Sequence, residues 1–375
     1  MAGEAANSSV ATWARARHVL GIRLDALGDV LMTTPALRAL KAGGAERRLS
    51  LLTSTSGAEI ARLVPDVDDV IVYDPPWMKA TRHRSDGRAD LALAERLRQG
   101  AFDAAVVFTA YSQSPLPAAL VCYLADIPLR LAHCHENPYQ LLSEWVADPE
   151  PAAGIRHEVR RQLDLVATVG CTTPDERLSV RVPNAARQHA AALLRDLGLR
   201  PDQPWLVLHP GASAPSRRYP PDSYAEAGRL LAREDGCQVV LTGTEAEAPL
   251  VAHIQQGIGM PSWSLAGRLG IAELVGLISL APLLVANNTG PAHIAAAVGT
   301  PVVDLYALTN PQHTPWGVPN RVLSHDVDCK YCYKSVCPMQ HHNCLRLVAP
   351  EAVVAAAREL LATRRLGDQR AIKDW

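Results

Sequence analysis

No apolar run in this 375-residue chain approaches the ~20 residues that a bilayer-spanning helix needs, so a transmembrane enzyme is not expected. The opening residues also lack a continuous apolar segment followed by a small-residue cleavage site, because Arg23 interrupts the run at 19–24. That run reads as a first strand rather than a secretory signal, and cytoplasmic residence is the expectation. Excess charge of either sign is missing too: 37 Lys and Arg against 38 Asp and Glu leave a formal charge of -1. No global field therefore draws the chain to nucleic acid or to an anionic membrane. The first strand-to-helix junction has one glycine, Gly28, where a dinucleotide fingerprint would need three, and no solenoid repeat recurs. What is present is ordinary globular composition, 48% hydrophobic and 20% charged, in a chain too long for one core.

Short β-rich runs at 18–24, 49–53, 70–73 and 104–108 alternate with helical stretches at 28–40, 57–63 and 90–98. Strands separated by helices predict a parallel sheet covered on both faces. After a helix at 157–169, the turn-rich stretch with Pro174, Asp175 and Pro183 reads as a linker. The pattern then resumes, with strands at 205–209, 238–241, 283–286 and 301–306 and helices at 184–197, 221–233, 247–257, 271–279 and 290–298. A final helix at 350–365 keeps Val353, Val354, Ala357 and Leu360 on one side for packing, and the tail at 366–375 is expected to be mobile. The expected domains are 1–182, 183–349 with a cysteine-rich segment at 329–344, and a packing helix and tail at 350–375. Two such sheets in tandem imply a central cleft, with ligands beyond the carboxyl ends of the strands.

Three junctions carry the chemistry. At Gly28-Asp29 a glycine opens a helix whose free amides can take an anion, and Asp29 reads either as a cap or as a general base; Asp25 is a second local carboxylate. At Asn288-Thr289-Gly290-Pro291-Ala-His293, a helix start can hold a diphosphate without a P-loop lysine, or be an ordinary capped helix. His293 fits either a ligand contact or a packed histidine. The third junction, His209-Pro-Gly-Ala-Ser213 through Arg217-Arg218-Tyr-Pro, offers a hydroxyl and two guanidinium forks suited to phosphate oxygens. After the next strand, Glu245 and Glu247 can accept ribose hydroxyls or cap a helix. The loops at 111–117 and 133–137 are candidates to face an acceptor.

Cys329, Cys332, Cys337 and Cys344 stand close together, with His341 and His342 among them. The first pair has metal-like spacing and four thiolates suit a structural zinc ion, while the second pair departs from zinc-ribbon spacing and leaves reduced thiols or a disulfide open.

In order and spacing, these junctions resemble the heptosyltransferase family, inverting glycosyltransferases of the two-domain GT-B type. The resemblance runs through Leu24-Asp-Ala-Leu-Gly-Asp-Val-Leu-Met-Thr-Thr-Pro, His209-Pro-Gly-Ala, Arg217-Arg-Tyr-Pro, Asn288-Thr-Gly-Pro-Ala-His and the cysteine segment, from about residue 18 to 362. It implies two Rossmann-like domains with parallel sheets facing a central cleft, an acceptor held by the first and an ADP-heptose donor by the second. It implies Asp29 as base and Arg217, where relatives usually have Lys, as the group that steadies the departing diphosphate. Gly28, Ser213, Arg218, Asn288, Thr289, Gly290 and His293 would line the donor's phosphates, and Glu245 or Glu247 would meet the ribose. No catalytic metal is implied. The family's usual Asp-Ser-Gly or Asp-Thr-Gly is here Asn288-Thr289-Gly290, which keeps open another nucleotide sugar and a natural-product or surface-glycan acceptor. A lipid-linked glycan acceptor would bring the enzyme to the inner membrane's surface. A nucleotide-binding sensor on a degenerate transferase is the non-enzymatic alternative, and intact Asp29, Arg217 and Gly290 argue against it.

Overall fold

The alternation of apolar runs and amphipathic stretches folds into two units, Met1–Arg181 and Val182–Trp375, each built on one parallel sheet. The computed structural model describes residues 2–79, 81–200 and 202–367. Residues 368–375 of the expected tail lie outside them.

In the first unit, α1 (Ala2–Arg15) leads into β1 (His18–Arg23), α2 (Leu27–Ala42), β2 (Arg48–Thr53), α3 (Thr55–Ala61) and β3 (Asp69–Val72). There follow α4 (Arg88–Gln99), β4 (Ala104–Val107), α5 (Leu116–Leu124), β5 (Leu129–Cys134), β6 (Glu144–Ala147) and α6 (Glu158–Ala167). The sheet order is β3-β2-β1-β4-β5-β6, and β1 pairs in parallel with both β2 and β4. The order therefore reverses between β1 and β4, the switch point at which doubly wound sheets bind ligands.

The second unit repeats the plan. It runs α7 (Asn184–Asp196), β7 (Trp205–His209), α8 (Pro221–Asp235), β8 (Gln238–Leu241), α9 (Ala248–Ile258), β9 (Ser262–Ser264) and α10 (Ile271–Leu280). Then come β10 (Leu284–Asn287), α11 (Gly290–Val298), β11 (Val302–Leu305), β12 (Asn320–Leu323), α12 (Asn343–Arg346) and α13 (Pro350–Gly367). Its order, β12-β11-β10-β7-β8-β9, puts the switch point between β7 and β10. Both units thus have Rossmann-like topology.

The central strands are buried along their whole length, which is why they read as unbroken apolar runs. One core packs Leu206, Leu208, Val239, Leu241 and Val285 against Tyr224, Leu231 and Ile254 of the helices, with Val353 and Leu360 of α13. Fully burying each large aliphatic side chain contributes roughly 1.5–3 kcal/mol. Pro35 lies more than two turns inside α2, deeper than a first-turn proline. It has no N–H to give the Leu31 carbonyl, and the Thr34 hydroxyl donates to that carbonyl instead at 2.7 Å. Arg47, fully buried, caps two helix ends by donating to the carbonyls of Trp13, Ala16 and Leu40.

Several elements differ from expectation. The loop expected at 111–117 ends in α5, and that expected at 133–137 begins inside β5. The apolar sequence of α5 has no polar contrast from which a helical period could be read, and β9 and β12 are short, partly exposed strands. Among the described residues no helix is long and apolar enough to cross a membrane.

Gly276 of α10 lies against α7 so closely that an added Cβ would sit 2.8 Å from the backbone of Ala186. Gly276→Ala is expected to force the two helices apart and lower stability by about 1–3 kcal/mol, read as a fall in the urea midpoint with unchanged slope.

Candidate active site

In the first unit the site begins at the carboxyl end of β1. Arg23, the last residue of that strand, is 1% exposed and faces three carboxylates. Its Nε lies 2.8 Å from Asp25 Oδ2, Nη2 3.2 Å from Asp29 Oδ1, and Nη1 2.6 Å from Glu158 Oε1. A buried guanidinium demands such partners, and their negative charges hold it protonated far above its ordinary range against the opposing effect of burial.

The two candidate carboxylates differ in what they have left to offer. Asp25 has one oxygen on Arg23 and receives the Gln113 amide on the other at 2.6 Å, a bond that spans the switch point from the loop after β4. Burial pushes the Asp25 carboxyl above the usual range, with Arg23 opposing. Asp29 sits in the first turn of α2, where Oδ2 accepts from the Ala26 N–H at 3.2 Å. It caps the helix, as one reading of the sequence has it, yet its side chain remains 23% exposed and both contacts are long. Capping and proton acceptance are thus compatible, since each carboxylate oxygen has a second lone pair. Gly28 precedes it, half-buried in the same turn. Beside the switch point a pocket of about 390 Å³ is lined by Tyr111, Gln113, Ser114, Cys134, His135 and Glu136, which joins parts of the two loops flagged for an acceptor.

In the second unit the switch point gathers the remaining motifs. Thr289 is the N-cap of α11 and Gly290 its first residue, both half-buried, while His293 is buried one turn on. Asn287, fully buried at the end of β10, ties this junction to the loop after β7. Its Nδ2 donates to the Pro210 carbonyl at 2.7 Å and its Oδ1 accepts from the Tyr219 N–H at 3.0 Å. The two adjacent arginines diverge: Arg218 Nε donates to the Ala212 carbonyl at 2.9 Å and so braces the loop. The half-buried Arg217 guanidinium makes no hydrogen bond or ion pair among the described residues. Ser213 is exposed on the same loop.

Glu247 is held by the Thr244 N–H at 2.8 Å and hydroxyl at 3.0 Å, and its carboxylate lies where a side chain on Gly211 would be. Glycine at this position leaves the Glu247 carboxylate room against the loop. Glu245 is exposed. His209 donates to or accepts from the Thr242 hydroxyl at 3.0 Å, and burial pushes its imidazole down to about 4, so it is neutral at physiological pH.

Asn288 is placed differently from a donor-lining residue. Its amide is turned inward, where Nδ2 donates to Asp304 Oδ2 at 3.0 Å and to the His313 carbonyl at 2.7 Å. Asp304 is fully buried in β11, and burial pushes its carboxyl up to about 7. The Asn288 amide therefore serves a buried carboxylate and fixes the loop after β11, and its departure from the Asp-Thr-Gly pattern carries no argument for a different sugar.

The four clustered cysteines are free and half-exposed. Cys329 Sγ is 3.8 Å from His341 Nε2, but among the described residues no three Cys, His, Asp or Glu side chains converge as metal ligands. The four thiols lie near one another, and hydrogen bonds tie the segment to its neighbours. The Tyr333 N–H donates to the Thr309 carbonyl at 2.7 Å, and the Ser216 hydroxyl and N–H donate to the carbonyls of Lys334 and Ser335 at 2.7 and 3.0 Å. The cysteine-rich segment thereby braces the turn that carries Arg217.

Arg23 and Asn287 stand within the junctions but without an expected role, and Glu158 and Asp304 lie outside them. Arg23 and Asp304 did leave a signal, a charged residue inside an otherwise apolar strand, which marks a buried charge in need of partners. Glu158 and Asn287 left none, because their partners are distant in sequence.

Comparison with known proteins places this geometry. The model of glycosyltransferase family 9 (heptosyltransferase) matches residues 91–343. The lipopolysaccharide heptosyltransferase 2 of Salmonella typhimurium is 26% identical over 297 residues, 77% of this chain and 82% of that one. A family 9 glycosyl transferase from Veillonella parvula superposes with a TM-score of 0.78 at 20% identity, covering 92% of this chain and 98% of that one. The E. coli ADP-heptose LPS heptosyltransferase II does so at 0.71 and 24% identity, covering 93% and 99%. The architecture is the GT-B fold.

Proposed function

This chain belongs to glycosyltransferase family 9, the heptosyltransferases, and from that premise we propose that it moves a heptose from ADP-heptose to a sugar acceptor, with inversion at the anomeric carbon. The activity named for the Salmonella relative supports a lipopolysaccharide inner-core acceptor or a related glycan. The observation that carries the reading is that each unit's switch point holds its own half of the chemistry: Asp29 beside β1 in one, Arg217 and the start of α11 beside β7 and β10 in the other.

The reaction is a single displacement. An acceptor hydroxyl oxygen attacks the anomeric carbon as its proton passes to Asp29, and the bond to the diphosphate oxygen breaks with both electrons leaving on ADP. Arg217, the amides of Thr289 and Gly290 and the positive end of the α11 dipole receive that charge. They supply what a metal ion would otherwise supply, so the step as drawn needs none. Ser213 adds a hydroxyl to the phosphates, and Glu245 or Glu247 receives the ribose. Arg218, Asn288 and the buried His293 support these groups from behind. The pocket beside Gln113 takes part of the acceptor.

Mass analysis after incubation with ADP-, UDP- and GDP-sugars and a panel of core-oligosaccharide and simple glycan acceptors tests this, with EDTA present in parallel. One heptose gained from the ADP donor, unaffected by EDTA, is the expected result. Transfer only from a UDP- or GDP-sugar would overturn the donor assignment.

A further inference from the structure

The pocket beside Gln113 is walled by two loops whose inward polar groups are spent on the fold. In the loop after β4, the Thr109 carbonyl accepts from Arg161 Nε at 2.9 Å and from the Gln162 amide at 3.0 Å. Gln113 accepts from the Ala110 N–H at 3.0 Å and donates to Asp25 Oδ1 at 2.6 Å. That wall is therefore fixed, and it is tied to the carboxylate that shares Arg23 with Asp29. In the wall that follows β5, His135 Nε2 donates to the Tyr111 carbonyl at 2.8 Å, which joins the two loops and leaves Nδ1 of the neutral ring to accept. Glu136 beside it is exposed, and its carboxylate makes no hydrogen bond or ion pair among the described residues. Cations are missing here. Among the described residues no Lys or Arg lines the pocket. The guanidiniums behind its walls already have carboxylates: Arg161 has Asp148 at 2.6 Å and Glu150 at 2.5 Å, and Arg156 has Glu150 at 3.2 Å and Asp164 at 2.9 Å. If the His135 ring takes up a proton, Asp148 lies 3.6 Å from its Nε2 to offset the charge. At about 390 Å³ the cavity falls within the ~300–1,000 Å³ of small-ligand sites.

Resting on the reading of this pocket as part of the acceptor site, we propose that it takes a neutral sugar unit whose hydroxyls donate to the Glu136 carboxylate, and that Glu136 excludes acceptors carrying a carboxylate or phosphate on that unit. An ionised carboxylate only accepts, and two adjacent hydroxyls can donate to its two oxygens. An anionic substituent brings a further acceptor and like charge to the same place, with no guanidinium or ammonium free to receive it. Pro115 and Pro151, which also line the cavity, offer apolar surface to the C–H groups of the ring.

The test is kcat/KM for transfer by the full chain, with whichever sugar nucleotide it uses, to oligosaccharide acceptors that differ only in one unit: neutral, phosphorylated or a uronic acid. The parent is expected to favour the neutral acceptor by about 10-fold or more, with the gap narrowing as salt is added. Glu136→Gln is expected to weaken use of the neutral acceptor by about 10-fold and to improve use of the phosphorylated one, and Glu136→Lys to reverse the preference. Glu136 is exposed on a loop, so both variants should melt at the parental temperature. Equal or better use of the anionic acceptors by the parent, or an unchanged ratio in both variants, overturns the proposal while transfer itself stands. No transfer to any acceptor would overturn the transferase reading and this inference with it, so the two failures are distinguishable.

Discussion

Replacing Asp29 by asparagine is expected to cut kcat by about 10²- to 10⁴-fold, the usual contribution of a general base, while ADP binding stays within about twofold of the parent. Asparagine is isosteric, and its one carbonyl oxygen can still accept from the Ala26 N–H, so the cap is kept while the long contact with Arg23 is given up. What it cannot do is take a proton. The expected split, turnover lost and nucleotide affinity kept, separates this residue from a diphosphate ligand, whose loss would weaken ADP binding first. Asp25 would not substitute, because it is less exposed than Asp29, 15% against 23%, and is held by shorter contacts, 2.8 Å to Arg23 and 2.6 Å to Gln113. Steady-state kinetics with a calorimetric titration of ADP check both halves.

Asn288→Asp is the second large effect, and it runs against the family pattern that it would restore. In this chain the Asn288 amide donates to Asp304 Oδ2 and to the His313 carbonyl. A carboxylate there would confront another buried carboxylate and a carbonyl oxygen with no proton to share, at a cost of about 2–4 kcal/mol. The loss should be greater at pH 8 than at pH 5. Burial raises the folded Asp304 carboxyl from 3.8 to about 7, so its ionisation weakens the fold as pH rises through that window and the cost is fully present above it. Below it, one proton held between the two carboxyls bridges them. Thermal melts of Asn288→Asp at both pH values check this. Asp304→Asn in the same background removes the opposing charge and is expected to recover stability at pH 8; no recovery would mean that the His313 contact, not the carboxylate pair, dominates.

The fold was legible wherever burial on both faces forces a strand to be apolar throughout. Runs such as Trp205–His209 and Val302–Leu305 appear in the sequence almost at their observed limits, and the helices α8 and α11 announce themselves by proline or glycine at their starts. Elements whose burial is partial, β9 and β12, or whose sequence is apolar all round, α5, give no such contrast. The site was legible in the same uneven way. Asp29, Arg217, Thr289 and Gly290 stand at strand ends, where backbone geometry alone sends a ligand. Residues that act through others, Glu158 on Arg23 and Asp304 on Asn288, depend on contacts across 135 and 16 residues of chain, which local patterning cannot disclose. Asn288 shows the converse: its position within a motif suggests a ligand contact, and its hydrogen bonds turn it inward. The cysteine segment has a role that its spacing does not disclose, since its hydrogen bonds brace the turn of Arg217.

Direct displacement assisted by Asp29 makes one demand that no alternative route shares, inversion without a covalent intermediate. The measurement is the one-bond carbon–proton coupling at the new anomeric centre of the product, set against that of the ADP-heptose donor, for the parent enzyme and for Asp29→Asn. Opposite configurations in donor and product, with product almost absent from the variant, are expected. Retained configuration, or product formed by Asp29→Asn at the parental rate, would contradict the mechanism.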